Sequence, residues 1–433
     1  MSEWKKVKLG EYIDVLSGFA FKSKDFSDTG IPVIKIKNVS PPCISLEDLS
    51  FVPEVIAFQN PRYILEKGDI LIAMTGSHIN QIASVVGRVG RVRYDDITVL
   101  NQRVGKIINK NDDLSDIDFI YYYLSQYEVK VELAQKAGGA ANQANISPSD
   151  IKNLLFPCPP IEVQHRIATI LSRYDTLIEN YQKQIKLLEE AAQRLYKEWF
   201  VDLRFPGYEN VKMVDDLPEG WERKKVGEVV TKSIGGGWGK ETHQEQYDRE
   251  GFVIRGTDIS KLKNGSLNEI PFRYHTESNL KERTLSDGDI IFEVSGGSEK
   301  EPVGRMYLIT QPILDYYCKD VICASFCKKV SFANKMISVL CYFAMQHCRN
   351  TGDMKKFEKD SAGNIINFAW TTFLEDFNVL LPNNEVLNAF YRRANAIINS
   401  EVKLSLQIRL LTEARDRLLP RLMGGEIEGE MEV

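Results

Sequence analysis

The chain has 433 residues, of which 43% are hydrophobic and 27% charged, with 55 basic against 60 acidic side chains for a formal net charge of −5. That length exceeds one ordinary core, so two or three domains are expected, and the composition excludes disordered, collagen-like and disulfide-stapled classes. The net charge does not by itself favour a nucleic-acid partner, although four of the acids (Glu426, Glu428, Glu430 and Glu432) crowd an acidic tail over 426–433 and leave the body near neutral.

From the N-terminus, Met1-Ser2-Glu3-Trp4-Lys5-Lys6 opens without an apolar signal core. The longest apolar run, Val339–Met345, spans seven residues, where a membrane helix needs about 20. Seven cysteines, an odd number, suit a reducing compartment. The expectation is a cytoplasmic chain with no membrane partner. Short strands between turns are predicted at Ile31–Ile36 after Gly30, at Asp69–Met74 before Thr75-Gly76-Ser77, and at Val99–Ile108, with a helix over Ile117–Leu133. Residues 1–157 thus read as a β-rich domain. Over 158–202, Ile167, Leu171, Tyr174, Ile178, Tyr181, Ile185, Leu188, Ala192, Leu195 and Trp199 alternate steps of four and three, a heptad seam. Pro and Gly in Arg204–Tyr208 and Leu217–Trp221 mark a linker into a second β-rich region over 203–382, whose helix is predicted at Lys335–Cys348. A second arm over 383–425 carries Phe390, Ala394, Ile397, Glu401, Leu404, Ile408, Leu411, Arg415, Leu418 and Leu422.

These segments are two copies of one unit. Trp4–Glu11 returns as Trp221–Glu228, Leu65–Ile72 as Leu285–Phe292, and Val86–Val89 as Val303–Met306. Ile185–Leu195 returns as Ile408–Leu418 with seven identities in eleven. A duplication with repeated apolar stripes predicts an α+β chain in which two β-rich domains each precede a long helix, the two helices pairing as a coiled coil about a pseudo-twofold. Ile167, Leu171, Ile178, Ile185, Leu188 and Leu195 would meet Phe390, Ile397, Leu404, Ile408, Leu411 and Leu418.

Catalytic patterns are absent. Gly235-Gly236-Gly237-Trp238-Gly239-Lys240-Glu241 lacks the hydroxyl residue a phosphate loop needs and reads as a flexible glycine loop. Asp116, Asp118, Glu128 and Lys130 lie in a helical stretch rather than on paired strands, so a nuclease metal site is not inferred. Cys318, Cys323, Cys327, Cys341, His347 and Cys348 contain no C-x-x-C pair and read as buried thiols, with no metal expected. What remains are polar turns at matching places. The first copy offers Thr75, Ser77, His78, Asn80 and Gln81; then Asn101, Gln102 and Arg103; then Asn142, Gln143 and Asn145. The second offers Ser295, Ser298 and Lys300, then Asn364 and Asn367. Asn and Gln can pair with adenine, and Arg or Lys with guanine, in the major groove. Arg103 and Gln81 are the foremost base-reading candidates, and Lys22, Lys35 and Arg88 the phosphate-contacting ones. Lys37, Trp238, Lys240, Arg255, Thr257 and Arg305 complete the candidate DNA-binding set.

Taken in order, Trp4–Glu11, Ser17-Gly18-Phe19-Ala20-Phe21-Lys22-Ser23, Gly30–Ile36, Lys67–Leu71, Pro159-Pro160-Ile161-Glu162-Val163-Gln164 and Leu217–Trp221 give the chain, over nearly its whole length, a pattern that resembles the DNA specificity subunit of a type I restriction-modification system. The resemblance implies a subunit without catalytic activity. Its two target-recognition domains would each read half of a split site on double-stranded DNA, and its arms, paired as an antiparallel coiled coil, would set the spacer and dock two methyltransferase subunits. Restriction/translocase subunits would join in the full complex. It also implies no cofactor on this chain, with S-adenosylmethionine, Mg and ATP on the partners. Gly235–Trp238 and Phe252-Val253 depart from the pattern, the latter standing where Ile-Pro is usual. A coiled-coil scaffold without DNA binding and a fragment of a fused modification enzyme remain the alternative readings.

Overall fold

The computed structural model describes residues 4–77, 85–138, 144–297, 302–360 and 365–427. It is a mixed helix and sheet chain that divides into two compact units, 1–176 with 413–433, and 177–412. This division cuts across the segments expected from chain order, because each unit combines one β-rich region with a stretch of both arms.

In the first unit a six-stranded sheet runs in the order 13–17, 104–109, 70–73, 89–91, 43–44, 39–40, beside a four-stranded sheet ordered 50–52, 31–34, 98–100, 64–65. In the second, 230–235, 327–332, 290–293 and 306–308 repeat the four leading strands of the first sheet, while 249–254 and 320–323 repeat the parallel pair 31–34 and 98–100. Apolar residues of the central strands (Ile70, Leu71, Ile72 and Ala73 in one copy, Ile290, Ile291 and Phe292 in the other) are fully or almost fully buried, which is why these segments read as continuous apolar runs rather than alternating ones. One ion pair is built twice: Lys106 meets Asp69 at 2.6 Å, and Lys329 meets Asp289 at 3.1 Å.

Local chemistry moves several predicted boundaries. The strand expected over Val99–Ile108 is two, Thr98–Leu100 and Val104–Asn109, parted by a turn in which the Val104 N–H donates to the Asn101 carbonyl at 2.9 Å. The helix expected over Ile117–Leu133 is also two, Ile117–Leu124 and Tyr127–Lys136, because Gln126 is extended between them. Asp116 caps the first, its carboxylate accepting from the N–H groups of Asp118 and Phe119. The later helix is Lys335–Asn350, capped by Asn334.

The arms are α-helices over Ile161–Tyr196, ending in a π turn over Lys197–Val201, and over Asn384–Met423. Within each unit they run antiparallel. In the first unit Asp175 pairs with Arg415, while Ile167 and Leu171 share a core with Leu418 and Leu422. In the second, Ile178 and Ile185 cluster with Leu404, Ile408 and Leu411, and Tyr196 and Phe200 with Phe390. The seam differs from the predicted one in two places. Leu188 stands outside the Ile178–Ile185–Ile408 cluster, whereas Leu195, partly buried, packs on the core of the second unit. Ile397 is half-buried, whereas Ile398, Val402 and Ser405 are buried. The reason is that this stretch of the second arm also packs on its recognition domain: Ile398 and Val402 join that domain's core, and the Ser405 hydroxyl donates to the Lys263 carbonyl at 2.7 Å. Among the described residues, no helix is long and apolar enough to cross a membrane.

Candidate nucleic-acid interface

The polar turns converge where strand ends meet. In the first unit Thr75–Gly76 pairs antiparallel with Ala144–Asn145, placing Thr75 opposite Asn145. The Thr75 hydroxyl, 4% exposed, donates to Asn145 Oδ1 at 2.8 Å. Arg103 leans on the same two groups through one nitrogen, at 3.5 and 3.4 Å. Contacts that long are weak and leave most of a guanidinium's five donors available. Arg103 is exposed, and no carboxylate among the described residues pairs with it. Its place is fixed by the backbone, since the Met74 N–H donates to the Arg103 carbonyl at 2.9 Å.

The second unit repeats this frame with other side chains. Ser295 lies opposite Asn367 in the pair of strands 295–297 and 366–368. The Val294 N–H donates to the Phe326 carbonyl at 2.9 Å, so Phe326 occupies the register of Arg103. Phe326 is 65% exposed, and no pattern in the sequence distinguishes it from a core phenylalanine. Arg305 and Arg88 are also equivalents, their carbonyls accepting from the N–H groups of Glu293 and Ala73. Their surroundings differ: Arg305 grips Glu293 through two hydrogen bonds, 2.6 and 2.9 Å, with that carboxylate 2% exposed. A pair so enclosed holds the domain together, and it leaves the Arg305 side chain only 15% exposed.

Other candidates divide in the same way. Lys22 is exposed, and Thr257 sits exposed on a 3-10 turn. Lys35 is half-buried, its ammonium donating to Ser50 at 2.8 Å and lying 4.2 Å from the Phe26 ring centre; burial lowers its pKa. Lys37 pairs with Asp48. Arg255 is held by Asp258, which is fully buried, through bonds of 2.7 Å from two nitrogens. Asn101 and Gln102 form the turn before Val104, Gln102 exposed. Ser77 and Arg88 are half-buried. His78, Asn80, Gln81, Asn142, Gln143, Ser298, Lys300 and Asn364 lie outside the described residues.

The glycine loop is not flexible as expected. The Gly236 and Gly237 N–H groups donate to the Cys327 and Cys323 carbonyls, both at 2.9 Å, as Gly18 and Phe19 do to Val104 and Leu100. A Cβ on Gly236 would stand 2.1 Å from the Cys323 carbonyl oxygen, and one on Gly18 2.3 Å from that of Asn101. Only glycine lets these chains approach so closely. The loop is therefore the counterpart of Ser17–Lys22, with Lys240 in the place of Lys22, although its sequence departs from that pattern. Trp238, 39% exposed, carries the Arg273 guanidinium 4.8 Å from its ring centre, and Lys240 lies 5.6 Å from the Tyr247 ring. Arg273 was not legible as a partner because it arrives from the neighbouring strand.

The groups considered for metal or hydrolytic chemistry serve the fold. Asp116 caps its helix and contacts His165 Nδ1 at 2.6 Å. Cys323, Cys327, Cys341 and Cys348 are buried, and burial pushes the Cys323 thiol up to about 12. Cys318 is the exception to the buried set, exposed at a left-handed residue ending helix 311–317. Among the described residues no group of three or more His, Cys, Asp or Glu is placed to hold a metal ion.

Comparison with known proteins gives a consistent outcome. Residues 1–190 match the type I restriction modification DNA specificity domain. The type I restriction enzyme MjaIX specificity subunit of Methanocaldococcus jannaschii is 25% identical over 404 residues, 90% of this chain and 87% of that one. The MjaVIII specificity subunit of the same organism is 32% identical over 197 residues, 45% of this chain and 44% of its own. The HindI specificity subunit of Haemophilus influenzae is 23% identical across 99% of this chain and all of its own length. The crystal structure of the type I restriction-modification S subunit from M. genitalium shares the fold, with a TM-score of 0.55 at 15% identity, covering 97% of this chain and 96% of that one.

Proposed function

We propose that the chain is a DNA specificity subunit of a type I restriction-modification system, as the proteins it resembles are, and that each β-rich domain reads one half of a bipartite target on double-stranded DNA, while the arms set the spacer and dock two methyltransferase subunits. The observation that carries this reading is the duplicated frame of strand ends, Thr75 opposite Asn145 and Ser295 opposite Asn367. Loops held by a rigid scaffold are where binding residues concentrate, and side chains that differ on the same frame suit two different half-sites. The chain contributes recognition and no catalysis. S-adenosylmethionine, Mg and ATP belong to the partner subunits, restriction/translocase subunits join the full complex, and the assembly works in the cytosol.

Two manipulations test it on the complex reconstituted with its methyltransferase partner. Exchanging residues 1–157 for those of a relative changes one half of the modified sequence and leaves the other; a change in both halves refutes independent domains. Inserting four residues after Ile185 lengthens the arm by about 6 Å. On a spacer-setting arm this abolishes assembly or shifts the preferred target by about two base pairs at 3.4 Å each. An unchanged spacer with full activity refutes that role, whereas the same insertion between Arg204 and Gly220 lies outside the seam and is tolerated.

A further inference from the structure

We propose that Phe326 is a base-reading residue of the second recognition domain and that it selects a thymine through the 5-methyl group. The assignment rests on the DNA-reading role proposed above. It goes beyond it by naming a residue that no polar motif marks and the base that residue takes.

Val104 lies opposite Ala73, and Cys327 opposite Glu293, so the residues just before them, Arg103 and Phe326, occupy one place in the duplicated frame. In both copies that residue's carbonyl accepts from the residue after the central strand, Met74 or Val294. In both, the next residues along that chain enter the short strand that carries the polar pair, Thr75 with Asn145 or Ser295 with Asn367. A solitary exposed apolar side chain needs no explanation. One at 65% exposure on the position that the other copy gives to an exposed arginine is different.

The exchange changes the chemistry that the position can read. A guanidinium at this place can bond guanine O6 and N7. A phenyl ring has no donor, and the apolar feature on the major-groove edge is the thymine methyl. Removing that methyl from water against the ring also relieves the exposure of Phe326 itself. The Ser295 hydroxyl and Asn367 amide on the adjoining strands supply polar partners for neighbouring base edges.

The test uses the full chain with its methyltransferase partner. A randomised duplex pool first yields the bound sequence, and the exchange of residues 1–157 identifies the half that stays with the second domain. Each thymine of that half is then replaced in turn by uracil, which lacks only the methyl group. The expected result is one thymine whose replacement weakens binding roughly fourfold. Phe326→Ala binds the uracil and thymine duplexes equally, and Phe326→Arg moves the preferred base at that position to guanine. Retention of the first half-site preference by both variants reports that they are folded. The assignment is overturned if Phe326→Ala keeps the wild-type uracil sensitivity, or if it weakens binding evenly on all sequences as a wedge or a packing residue would. A wild-type chain that selects no sequence from the pool refutes the DNA-reading role itself, a result distinct from the others because it needs no variant.

Discussion

Asp175 on the first arm accepts from Arg415 Nη1 on the second at 2.8 Å, while its other oxygen accepts from the Tyr122 hydroxyl at 2.7 Å. Arg415 is one of two charged residues that interrupt the apolar stripe of its arm. The pair locks the first unit's helices and recognition domain together with a carboxylate 4% exposed. Removing one member of such a pair leaves a charge without its partner, so Arg415→Met is expected to cost about 3 kcal/mol. Adding Asp175→Asn, which keeps an acceptor for Tyr122, recovers much of that loss. Urea unfolding of the two variants checks this; equal losses in single and double variants rule out the ion pair as the cause.

The cluster of Ile178, Ile185 and Ile408 predicts an asymmetric response along the seam. Ile408 is 3% exposed, and Ile408→Glu would bury an uncompensated carboxylate at a cost of about 4 kcal/mol. Leu188→Glu, on a heptad position but outside the cluster, is expected to cost under about 1 kcal/mol. Comparable urea midpoints for the two variants contradict the described packing.

Glu401 is the other charged interruption. Burial, and then the neighbouring Glu189 carboxylate, raise its pKa to about 8, against the opposing pull of Lys263. Lys263 donates to Glu189 at 2.7 Å, and the Tyr307 and Tyr342 rings border the same cavity. The folded chain therefore holds a proton that the unfolded chain gives up near 4.5. Stability from this group is full below about 4.5, falls as pH rises toward 8, and is level above it, for a total on the order of a few kcal/mol. Glu401→Gln removes this slope and stabilises the chain at pH 8. Urea midpoints between pH 5 and 9 decide the matter, and an unchanged slope in the variant refutes it.

Adjacent glycines differ in what they allow. A Cβ at Gly235 meets nothing within 4 Å, whereas at Gly236 it strikes the Cys323 carbonyl at 2.1 Å. Gly236→Ala is expected to cost about 2 kcal/mol through backbone displacement and to impair the second half-site alone, with Gly235→Ala near neutral. Thermal melting together with modification of each half-site separates the two; a harmless Gly236→Ala shows that the approach is looser.

In the first domain, Arg103→Ala should relax one base position at a cost of about 1–3 kcal/mol. Lys22→Ala should weaken binding to every sequence and flatten the salt dependence by about one unit. Competition binding across salt concentrations checks both. If Arg103→Ala behaves as Lys22→Ala is expected to, Arg103 touches phosphate.

The duplication, the two arms and their pairing were legible in the sequence, because heptad periodicity and repeated motifs are local patterns written in residue order, whereas the antiparallel sense came only with the family resemblance. Thr75, Arg103 and Asn145 were likewise visible as polar residues in turns. Tertiary structure decided which of these candidates face solvent. Arg305 and Arg88 look alike in Val-Gly-Arg motifs, yet Arg305 is taken up by Glu293 from the neighbouring strand, where the first copy has Ala73. Ile398 replaces Ile397 in the core because the arm answers to a recognition domain as well as to its partner helix. Phe326 gave no signal, since an aromatic beside a strand looks like core until the register of that strand is known. Residue order alone sets the repeated unit and its periodic faces. Which side chain is left for a ligand depends on partners brought together from distant positions, and those meet only when the chain packs.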